Sequence, residues 1–423
     1  MLLLISLVLA GFFLAKKVLE LSRARKTTPS EVAVDTIEDL RGLGYSGQRK
    51  IASDKKGNIF IAYRKDYEKH SEIFVARVSR GVGVWNVTGT SHPAMVIGKD
   101  NDQRVPSIAI DSKDTVHLVW YGSDIENQND NRQVKYIRSI DSGETWSSWR
   151  NIVHVSGYKN GEEFWQEHPV VAVGKDDSLY VVWEGKDEQN GKQQIKFSKS
   201  LNSGDSWSYW KNIQPAKNNT QSRPTITEGQ DGKLYVFAYS SEGNDNGNQR
   251  VQYCWSLDKG ESWSVWEVLS DSSLDARHIS VAPDESGNIH TVFREGGENL
   301  PTSLRYVKID SSGKQVQSVS VAPSSKYQFF PSIGILSNGD PVVAWNEVDN
   351  SSGFPRENPQ GGKTMISIFQ GGIPGLAVAV SDSIEGLYPS LPASLSDFRM
   401  VPVVFEEPDG RGNFMVKMKF LSV

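Results

Sequence analysis

The chain has 423 residues, of which 38% are hydrophobic and 23% charged, so it is long and apolar enough to bury a large core. Its 46 basic and 51 acidic residues give a net charge of −5, which provides no general attraction for nucleic acid, and we expect no nucleic-acid partner. The single cysteine excludes a disulfide framework and a cysteine-based zinc site, and neither a metal nor a cofactor is predicted.

The N-terminus begins with an apolar run that contains no charge until Lys16 and Lys17. Fifteen helical residues span only about 22 Å, but flanking residues and lysine side chains that reach the interface extend such a span. We therefore predict a membrane anchor over residues 1–21, followed by a tether and a ring-closing strand over residues 22–47. A cleaved secretory signal is the alternative.

From residue 48 the chain repeats a unit of an apolar strand, a Gly or Asp turn, and a second strand that ends in an anchor residue, usually aromatic. Examples are VPSIAIDSKDTVHLVW, HPVVAVGKDDSLYVVW and FPSIGILSNGDPVVAW. The anchors recur every 52 to 63 residues, which fits four-stranded propeller blades. The anchors are Tyr63, Trp120, Trp183, Ala238, Phe293, Trp345 and Phe405.

Seven anchors predict an all-β, seven-bladed β-propeller over residues 48–423, with a six-bladed ring as the alternative. The last unit contains only three strands, whereas EVAVDT at residues 31–36 is a spare strand before the first unit. We expect this segment to complete the last sheet and close the ring, because closure leaves no exposed strand edge.

Three units carry a turn motif after their third strand: SIDSGETW, SLNSGDSW and SLDKGESW, at residues 139–146, 200–207 and 256–263. The Asp or Asn side chain of such a turn accepts hydrogen bonds from nearby main-chain N–H groups, and Gly supplies a positive φ. The Trp is expected to pack back onto its own blade. These residues are predicted to be structural: Asp141, Gly143, Trp146, Asn202, Gly204, Trp207, Asp258, Gly260 and Trp263.

Turns of this type at blade spacing resemble the Asp-boxes of the sialidase-like (BNR-repeat) propellers, and the resemblance covers residues 48–423. It implies the propeller fold and, for an active member, an exo-sialidase type of glycoside hydrolase. Non-catalytic lectins and assembly factors share these turns, so the resemblance by itself does not decide the activity.

The sialidase pattern implies roles for particular residues. Tyr388 would be the nucleophile, and Asp66 or Glu68 the general acid, with Glu406 or Glu407 orienting the first arginine. That arginine would be Arg49, followed by Arg64 in the same blade, with Arg305 and Arg356 completing the group that holds a substrate carboxylate. The sequence departs from the family where the Glu that activates the Tyr is expected, because His278 and Ser280 stand there, and Glu167 is a poor substitute.

Propeller geometry gives a second argument for the site, since strand one begins and strand two ends on the same face of the ring. Arginines accumulate at these positions although the chain as a whole is acidic, which predicts a cationic channel mouth suited to an acidic sugar or another carboxylate. The other interpretation is that they pair with carboxylates such as Glu184 and Glu406 and only line the channel. The candidate substrate-binding residues are Arg49, Arg64, Arg104, Arg223, Arg277, Arg294 and Arg305.

Three functions stay open at this point: an active glycosidase, a glycan-binding propeller, and a protein-binding scaffold that uses the outer blade surfaces. An acidic glycan as ligand favours an extracytoplasmic body held at the membrane by residues 1–21. The basic residues after the apolar run favour the cytoplasmic side instead, because positive charge tends to stay inside.

Overall fold

The computed structural model describes residues 31–422, with gaps at 39–40, 46, 69, 83, 94–101, 125–131, 155–157, 160–161, 217–218, 242–246, 297–300, 350–361, 383–385 and 397. The predicted anchor over residues 1–21, most of the tether and Arg356 lie outside the described residues. None of the described residues forms a helix that would cross a membrane. The proposed boundaries at residues 21 and 47 stay predictions.

Strands alone make up the regular structure of the described residues. They are β1 (Glu31–Ile37), β2 (Ile51–Ser53), β3 (Ile59–Asp66), β4 (Ser71–Arg80), β5 (Trp85–Ser91), β6 (Gln103–Ile110), β7 (Val116–Gly122), β8 (Gln133–Ser139), β9 (Arg150–Asn151), β10 (Tyr158–Lys159), β11 (Glu162–Glu163), β12 (Trp165–Val173), β13 (Leu179–Asp187), β14 (Asn190–Ser200), β15 (Lys211–Asn212), β16 (Gln221–Glu228), β17 (Leu234–Ser240), β18 (Arg250–Ser256), β19 (Glu267–Val268), β20 (Asp275–Pro283), β21 (Ile289–Gly296), β22 (Ser303–Ile309), β23 (Gln315–Ser320), β24 (Tyr327–Ile335), β25 (Pro341–Val348), β26 (Lys363–Gln370), β27 (Ile373–Pro374), β28 (Val378–Ala379), β29 (Leu387–Ser390), β30 (Met400–Pro408) and β31 (Phe414–Ser422).

Seven antiparallel sheets form the blades of a β-propeller. Blades 1 to 5 consist of β2–β5, β6–β9, β12–β15, β16–β19 and β20–β23. In blade 6, β27 and β28 both pair with β26 outside β24 and β25, and blade 7 has the order β29, β30, β31, β1. The seven-bladed expectation is confirmed and the six-bladed alternative is wrong.

The ring closes through its N-terminal strand. β1 pairs antiparallel with β31, from Glu31 opposite Lys419 to Ile37 opposite Phe414. Val32, Val34 and Ile37 are buried while the residues between them face outward. The two ends of the described chain therefore share one blade, which is the arrangement expected for the spare strand at residues 31–36.

The blades pack against one another through the middle of each second strand. All seven anchor residues predicted from the repeat have 0% exposure. β-branched and aromatic neighbours on the facing strands fill the spaces between blades, which explains why the anchors recur once in every blade.

The first strand of six blades contains the same irregularity. In blades 2 to 7 the register between strands one and two shifts at one point, as in a β-bulge, and a non-glycine residue there has a positive φ near +50°. Proline follows this residue in five of the six blades. The residues are Val105, His168, Arg223, His278, Phe330 and Tyr388, with φ between 48° and 57°.

The three box-like turns adopt one hydrogen-bond pattern. In the first, Asp141 Oδ1 accepts from the N–H of Thr145 at 2.9 Å, and the N–H of Gly143 donates to Ser139 Oγ at 2.8 Å. Gly143 needs its positive φ of 83° to close this turn. The other two turns repeat the pattern, and Asn202 Oδ1 accepts from Ser206 N–H at 3.0 Å in the place of an Asp.

The Trp residues of these turns do not pack only on their own blades. Trp207 makes an edge-to-face contact with Tyr136 of blade 2 at 5.0 Å, and Trp263 makes the same contact with Phe197 of blade 3 at 5.2 Å. The expectation of packing within one blade is corrected, because each turn lies at the junction with the preceding blade. Ion pairs also connect a turn to the preceding blade; for example, Arg138 of blade 2 pairs with Asp205 of the second turn at 2.7 Å.

We expect Asp141→Ala and Asp258→Ala each to lower the free energy of unfolding, because each removes a side chain that accepts main-chain N–H bonds within its turn. The comparable loss of a helix N-cap costs about 0.5–2 kcal/mol. Urea unfolding measures this change, with Glu285→Ala, in an exposed turn of blade 5, as the control. Because the box-like turns lie on the face opposite the strand-one bulges, a large loss of ligand affinity in the folded variants would contradict the placement.

Candidate functional site

The mouth of the central channel is the end where strands one begin and strands two end. Two sets of side chains meet there, one from the bulge residues of strands one and one from the ends of strands two. The second set comprises Arg64, Tyr121, Glu184, Tyr239, Arg294, Asn346 and Glu406. The mouth therefore gathers cations, carboxylates and aromatic rings, as the repeat predicted.

His168, Arg223 and His278 occupy the same bulge position in three consecutive blades, with 55 residues between each pair. Polar atoms of all three are buried and have no hydrogen-bond partner among the described residues: Nε2 of His168, Nη1 of Arg223 and Nδ1 of His278. A buried donor or acceptor without a partner costs about 1–3 kcal/mol, so these atoms at equivalent positions of neighbouring blades are candidates for bonding to water or a ligand.

His168 is a buried, uncharged imidazole at neutral pH. Burial and the positive charge of Arg223 lower the pKa of His168 to about 4. Its Nδ1 atom lies 2.9 Å from Glu184 Oε1 and pairs with that carboxylate. The ring is packed between Tyr45 at 4.9 Å and Tyr121 at 5.2 Å, measured between ring centroids. His168 can accordingly accept a proton or a hydrogen bond.

Glu184 and Arg223 form the charged centre of this sector. Glu184 Oε1 lies 3.8 Å from Arg223 Nη1, and Oε2 accepts from the main-chain N–H of Arg223 at 2.5 Å. Burial favours the neutral acid, but Arg223 and His168 outweigh it and lower the pKa of Glu184 to about 2. Glu184 in turn raises the pKa of Arg223 despite its burial. The guanidinium stays charged and faces the ring of Tyr45 at 4.2 Å.

Blade 5 adds two more arginines around one carboxylate. Asp275 accepts from Arg277 Nε at 2.8 Å and from Arg294 Nη2 at 2.7 Å. Arg277 also lies 5.9 Å from the ring of Tyr239, and burial raises the pKa of that tyrosine, so its phenol stays protonated. His278 stacks on Phe330 at 4.3 Å. The sector of blades 3 to 5 is therefore cationic.

Residues 41–45 and 47–48, here called the crossing segment, run over the mouth between blades 7 and 1. The main-chain N–H groups of Arg41 and Leu43 donate to the two carboxylate oxygens of Glu406, the first at 2.8 Å. Gly42 carbonyl accepts from the N–H of Arg64 at 2.9 Å. A Cβ at Gly42 would lie 2.8 Å from the Arg64 carbonyl, so glycine is required for this close approach.

The expected nucleophile and its partners do not form a compact catalytic group. Tyr388 packs on Phe330 at 4.9 Å, and burial together with the charge of Glu406 raises the pKa of its phenol. The carboxylate of Glu406, expected to orient Arg49, instead accepts the main-chain donors of the crossing segment. Asp66 pairs with Arg64 at 2.6 Å, and Glu68 lies in an exposed turn.

Arg49 lies inside the channel and binds main-chain atoms. Its guanidinium donates to the carbonyls of Ile333 and Val281, in the first strands of blades 6 and 5, and of Leu391, directly after the first strand of blade 7. Burial lowers its pKa to about 10, which still leaves it charged at neutral pH. These contacts tie the inner strands together across the axis.

The remaining candidates are paired close to their own blades. Arg104 pairs with Asp102 at 2.6 Å, and Arg305 pairs with Glu295 at 2.6 Å on strands two and three of blade 5. Arg223, Arg277 and Arg294 share neighbouring contacts in one sector, since Arg277 and Arg294 share Asp275 and both Arg223 and Arg277 act on Tyr239. Arg49, Arg64, Arg104 and Arg305 are each held by separate partners.

Among the described residues, one group has the composition of a metal site. Ligand atoms of Glu167, His168 and Glu184 lie within 4.8 Å of one another. However, Arg132 pairs with Glu167, and Arg223 pairs with Glu184, so guanidinium groups already compensate the carboxylate charge. The group is better suited to positioning His168 and Arg223 than to holding a cation.

Tyr45 and the crossing segment were not predicted from the sequence to form part of the mouth. The three glycines at 42, 44 and 47 and the aromatic residue among them were the available signal in an otherwise polar tether. Such a pattern does not reveal contact with His168 and Arg223, which are more than a hundred residues away along the chain.

No family model matches the chain, and no curated protein matches it. Among solved structures, one similar fold is that of a polysaccharide lyase described as an ulvan lyase of family PL25, with a TM-score of 0.59, 14% identity, and coverage of 93% of this chain and 96% of that one. The same lyase is known bound to -[GlcA(1-4)Rha3S]-, and that structure has a TM-score of 0.57, 13% identity, and coverage of 92% and 96%.

A variant of the NanB sialidase from Streptococcus pneumoniae is also similar, with a TM-score of 0.51, 12% identity, and coverage of 93% of both chains. A protein of unknown function from Dyadobacter fermentans has a TM-score of 0.53, 14% identity, and coverage of 80% of this chain and 98% of that one. At these identities the comparisons show the fold. The chain is a sialidase-like propeller in its architecture.

We expect the free energy of unfolding to fall as the pH is lowered from about 6.5 to about 4. In the unfolded chain His168 takes up a proton near pH 6.5, whereas in the folded protein its pKa is lowered to about 4. Between these two pH values the unfolded state binds more protons and is therefore favoured as the pH falls. NMR titration of the imidazole measures the pKa directly, and His168→Gln should flatten this part of the stability profile. A titration midpoint near 6.5 would contradict the assignment of a buried neutral ring.

Proposed function

We propose that this propeller binds an acidic glycan at the sector of the mouth formed by blades 3 to 5, with the sugar carboxylate on Arg223. The observation that carries the proposal is the set of buried, unpartnered polar atoms on His168, Arg223 and His278 at equivalent positions. A guanidinium binds a carboxylate through parallel hydrogen bonds, and the neutral phenols and imidazoles nearby supply further donors and acceptors.

The ligand of a similar fold supports this class of sugar. The ulvan lyase is known with a fragment that contains GlcA, a sugar acid. In this chain an acid of that kind would complete the hydrogen bonding of Arg223 Nη1 and of the two imidazoles. The three box-like turns, which match the Asp-box pattern, would have only a structural role on the opposite face.

We expect Arg223→Met to weaken the binding of a glucuronate-containing oligosaccharide by roughly 10- to 100-fold, because a hydrogen bond to a charged group contributes about 1.5–3 kcal/mol. Isothermal titration calorimetry measures this change. Arg138→Met is the matched control, since Arg138 pairs with Asp205 on the box-turn face. Equal affinity of the Arg223 and Arg138 variants would contradict the proposed site.

Hydrolysis through Tyr388 is a separate hypothesis that the geometry favours less. Glu406 accepts main-chain N–H groups of the crossing segment, and burial together with the charge of Glu406 raises the pKa of Tyr388, so the phenol is held in its protonated form. We expect release from a 4-methylumbelliferyl sialoside to be no greater for the native protein than for Tyr388→Phe. Release that Tyr388→Phe abolishes, while binding persists, would establish a sialidase with Asp66 or Glu68 as acid.

A protein-binding scaffold is the second candidate function. Three consecutive blades expose an apolar side chain at the start of their box-like turns, where Ile140, Leu201 and Leu257 are 79%, 63% and 69% exposed. Exposed apolar residues repeated along one rim suit a protein partner. Loss of partner binding on changing these residues, with glycan binding intact, would distinguish this function from the first.

We also propose that residues 1–21 anchor the protein in a membrane and that the propeller lies outside the cytoplasm, where it would meet glycans. The apolar N-terminal run supports the anchor. Protease added to intact cells should therefore remove the propeller. Cleavage only after lysis would place it inside, in agreement with the basic residues that follow the run.

A further inference from the structure

A groove of about 530 Å³ lies on the box-turn face, at the junction of blades 1 and 2. One wall is the first box-like turn, with Trp146 at its end, and the other is the outer part of blade 1, with Val75, Arg77 and Thr90. This blade 1–2 groove is on the face opposite the mouth, so it is separate from the site proposed above.

The groove exists because one side chain is smaller than its counterparts. In the third strand of each blade, one residue pairs with the residue that precedes the anchor of strand two. This residue is Val75 in blade 1, Tyr136 in blade 2 and Phe197 in blade 3. In blades 2 and 3 the ring covers the Trp of the following box-like turn, Trp207 or Trp263. Val75 has no ring to place over Trp146.

The space around the glycines of the three box-like turns also differs between blade 1 and blades 2 and 3. A Cβ on Gly204 or Gly260 would overlap the ring of Tyr136 or Phe197, whereas a Cβ on Gly143 would meet the ring of Phe60 only at 3.5 Å. The first box-like turn therefore stands further from the preceding blade than the other two turns do.

The outer strand of blade 1 supplies a polar second wall. β5 has seven residues, whereas the outer strands β9, β15 and β19 of the next three blades have two each. Thr88 and Thr90 are exposed on β5 and present hydroxyl groups to the groove. The longer strand thus converts an ordinary blade junction into a cleft with hydroxyl donors and acceptors along one side.

The groove is polar but carries little net charge. Arg77 lies 3.3 Å from Glu144 Oε1 and donates to the Ser142 carbonyl at 3.1 Å, so its charge is compensated. Burial lowers the pKa of His92, which keeps that ring neutral at physiological pH. An anionic sugar would find no uncompensated cation among these lining residues, whereas arginines outnumber carboxylates in the pairs of Arg223, Arg277 and Arg294 with Glu184 and Asp275.

We propose that the blade 1–2 groove is a second carbohydrate-binding site, specific for a neutral pyranose ring of a glycan. The apolar C–H face of the sugar packs on the indole of Trp146, and its hydroxyls bond Thr90, Ser91 and the Arg77–Glu144 pair. The volume falls within the range of about 300–1,000 Å³ that small-molecule sites occupy, and an aromatic wall with a few polar groups is their usual composition.

The test uses the full-length protein and a panel of neutral methyl glycosides of hexoses, 6-deoxyhexoses and pentoses, followed by saturation-transfer NMR and tryptophan fluorescence. Val75→Phe restores the ring found in blade 3 and should reduce the affinity for the bound glycoside at least tenfold. Because this change fills a gap, thermal unfolding should be unaltered or shifted upward, which separates loss of the site from loss of the fold.

Two companion variants locate the ligand. Thr90→Ala should weaken binding of the same glycoside, and Arg223→Met at the mouth should leave it unchanged. Unaltered binding in a folded Val75→Phe protein would overturn the proposal, as would failure of every neutral glycoside in the panel to bind at millimolar concentration. Binding that Arg223→Met abolishes would place the sugar at the mouth and would also overturn it.

Discussion

A left-handed residue in the first strand of six blades is the constraint on which the mouth depends. A non-glycine residue in this conformation costs about 1–3 kcal/mol, and a following proline disfavours helical φ/ψ at the same position. The strained conformation recurs in six blades because the hydrogen-bonded pairing of strands one and two contains a register shift at this residue. Each bulge brings one side chain to the channel mouth, and the identity of that side chain sets the local chemistry.

Five of the six bulge residues give the mouth two unlike sectors. Phe330 and Tyr388 are in contact at 4.9 Å in blades 6 and 7, and His278 stacks on Phe330 from the neighbouring blade. Blades 3 to 5 instead bring together His168, Arg223 and the two arginines around Asp275. A ligand with one anionic end and an apolar sugar face can match such a mouth in only one orientation.

The crossing segment links the closure of the ring to the unequal chemistry of the mouth. The same chain that completes blade 7 as β1 continues over the mouth and places Tyr45 against His168 and Arg223. The carboxylate of Glu406 fixes this path through main-chain donors. Glu406, predicted from the sequence to orient an arginine, thus also holds the crossing segment in place over the mouth.

The repeat carried most of the information about the fold. Period and anchors predicted seven blades, the missing strand predicted the closure, and the strand ends predicted the arginines of blades 4 and 5 at the mouth. The sequence did not predict which arginines would share one sector, because pairing with Asp275, Asp66 or Glu295 depends on side-chain placement rather than on spacing. Tyr45 and the groove beside Trp146 were missed for a related reason, since each depends on which side chain of another blade lies opposite.

The most direct test of the account is a crystal structure of the protein with a glucuronate-containing oligosaccharide. We expect a carboxylate hydrogen-bonded to Arg223 and a sugar hydroxyl on His168, with the apolar sugar face toward Phe330 and the crossing segment in place. A ligand bound only on the outer blade surfaces, or a mouth unchanged and without sugar at saturating concentration, would contradict it.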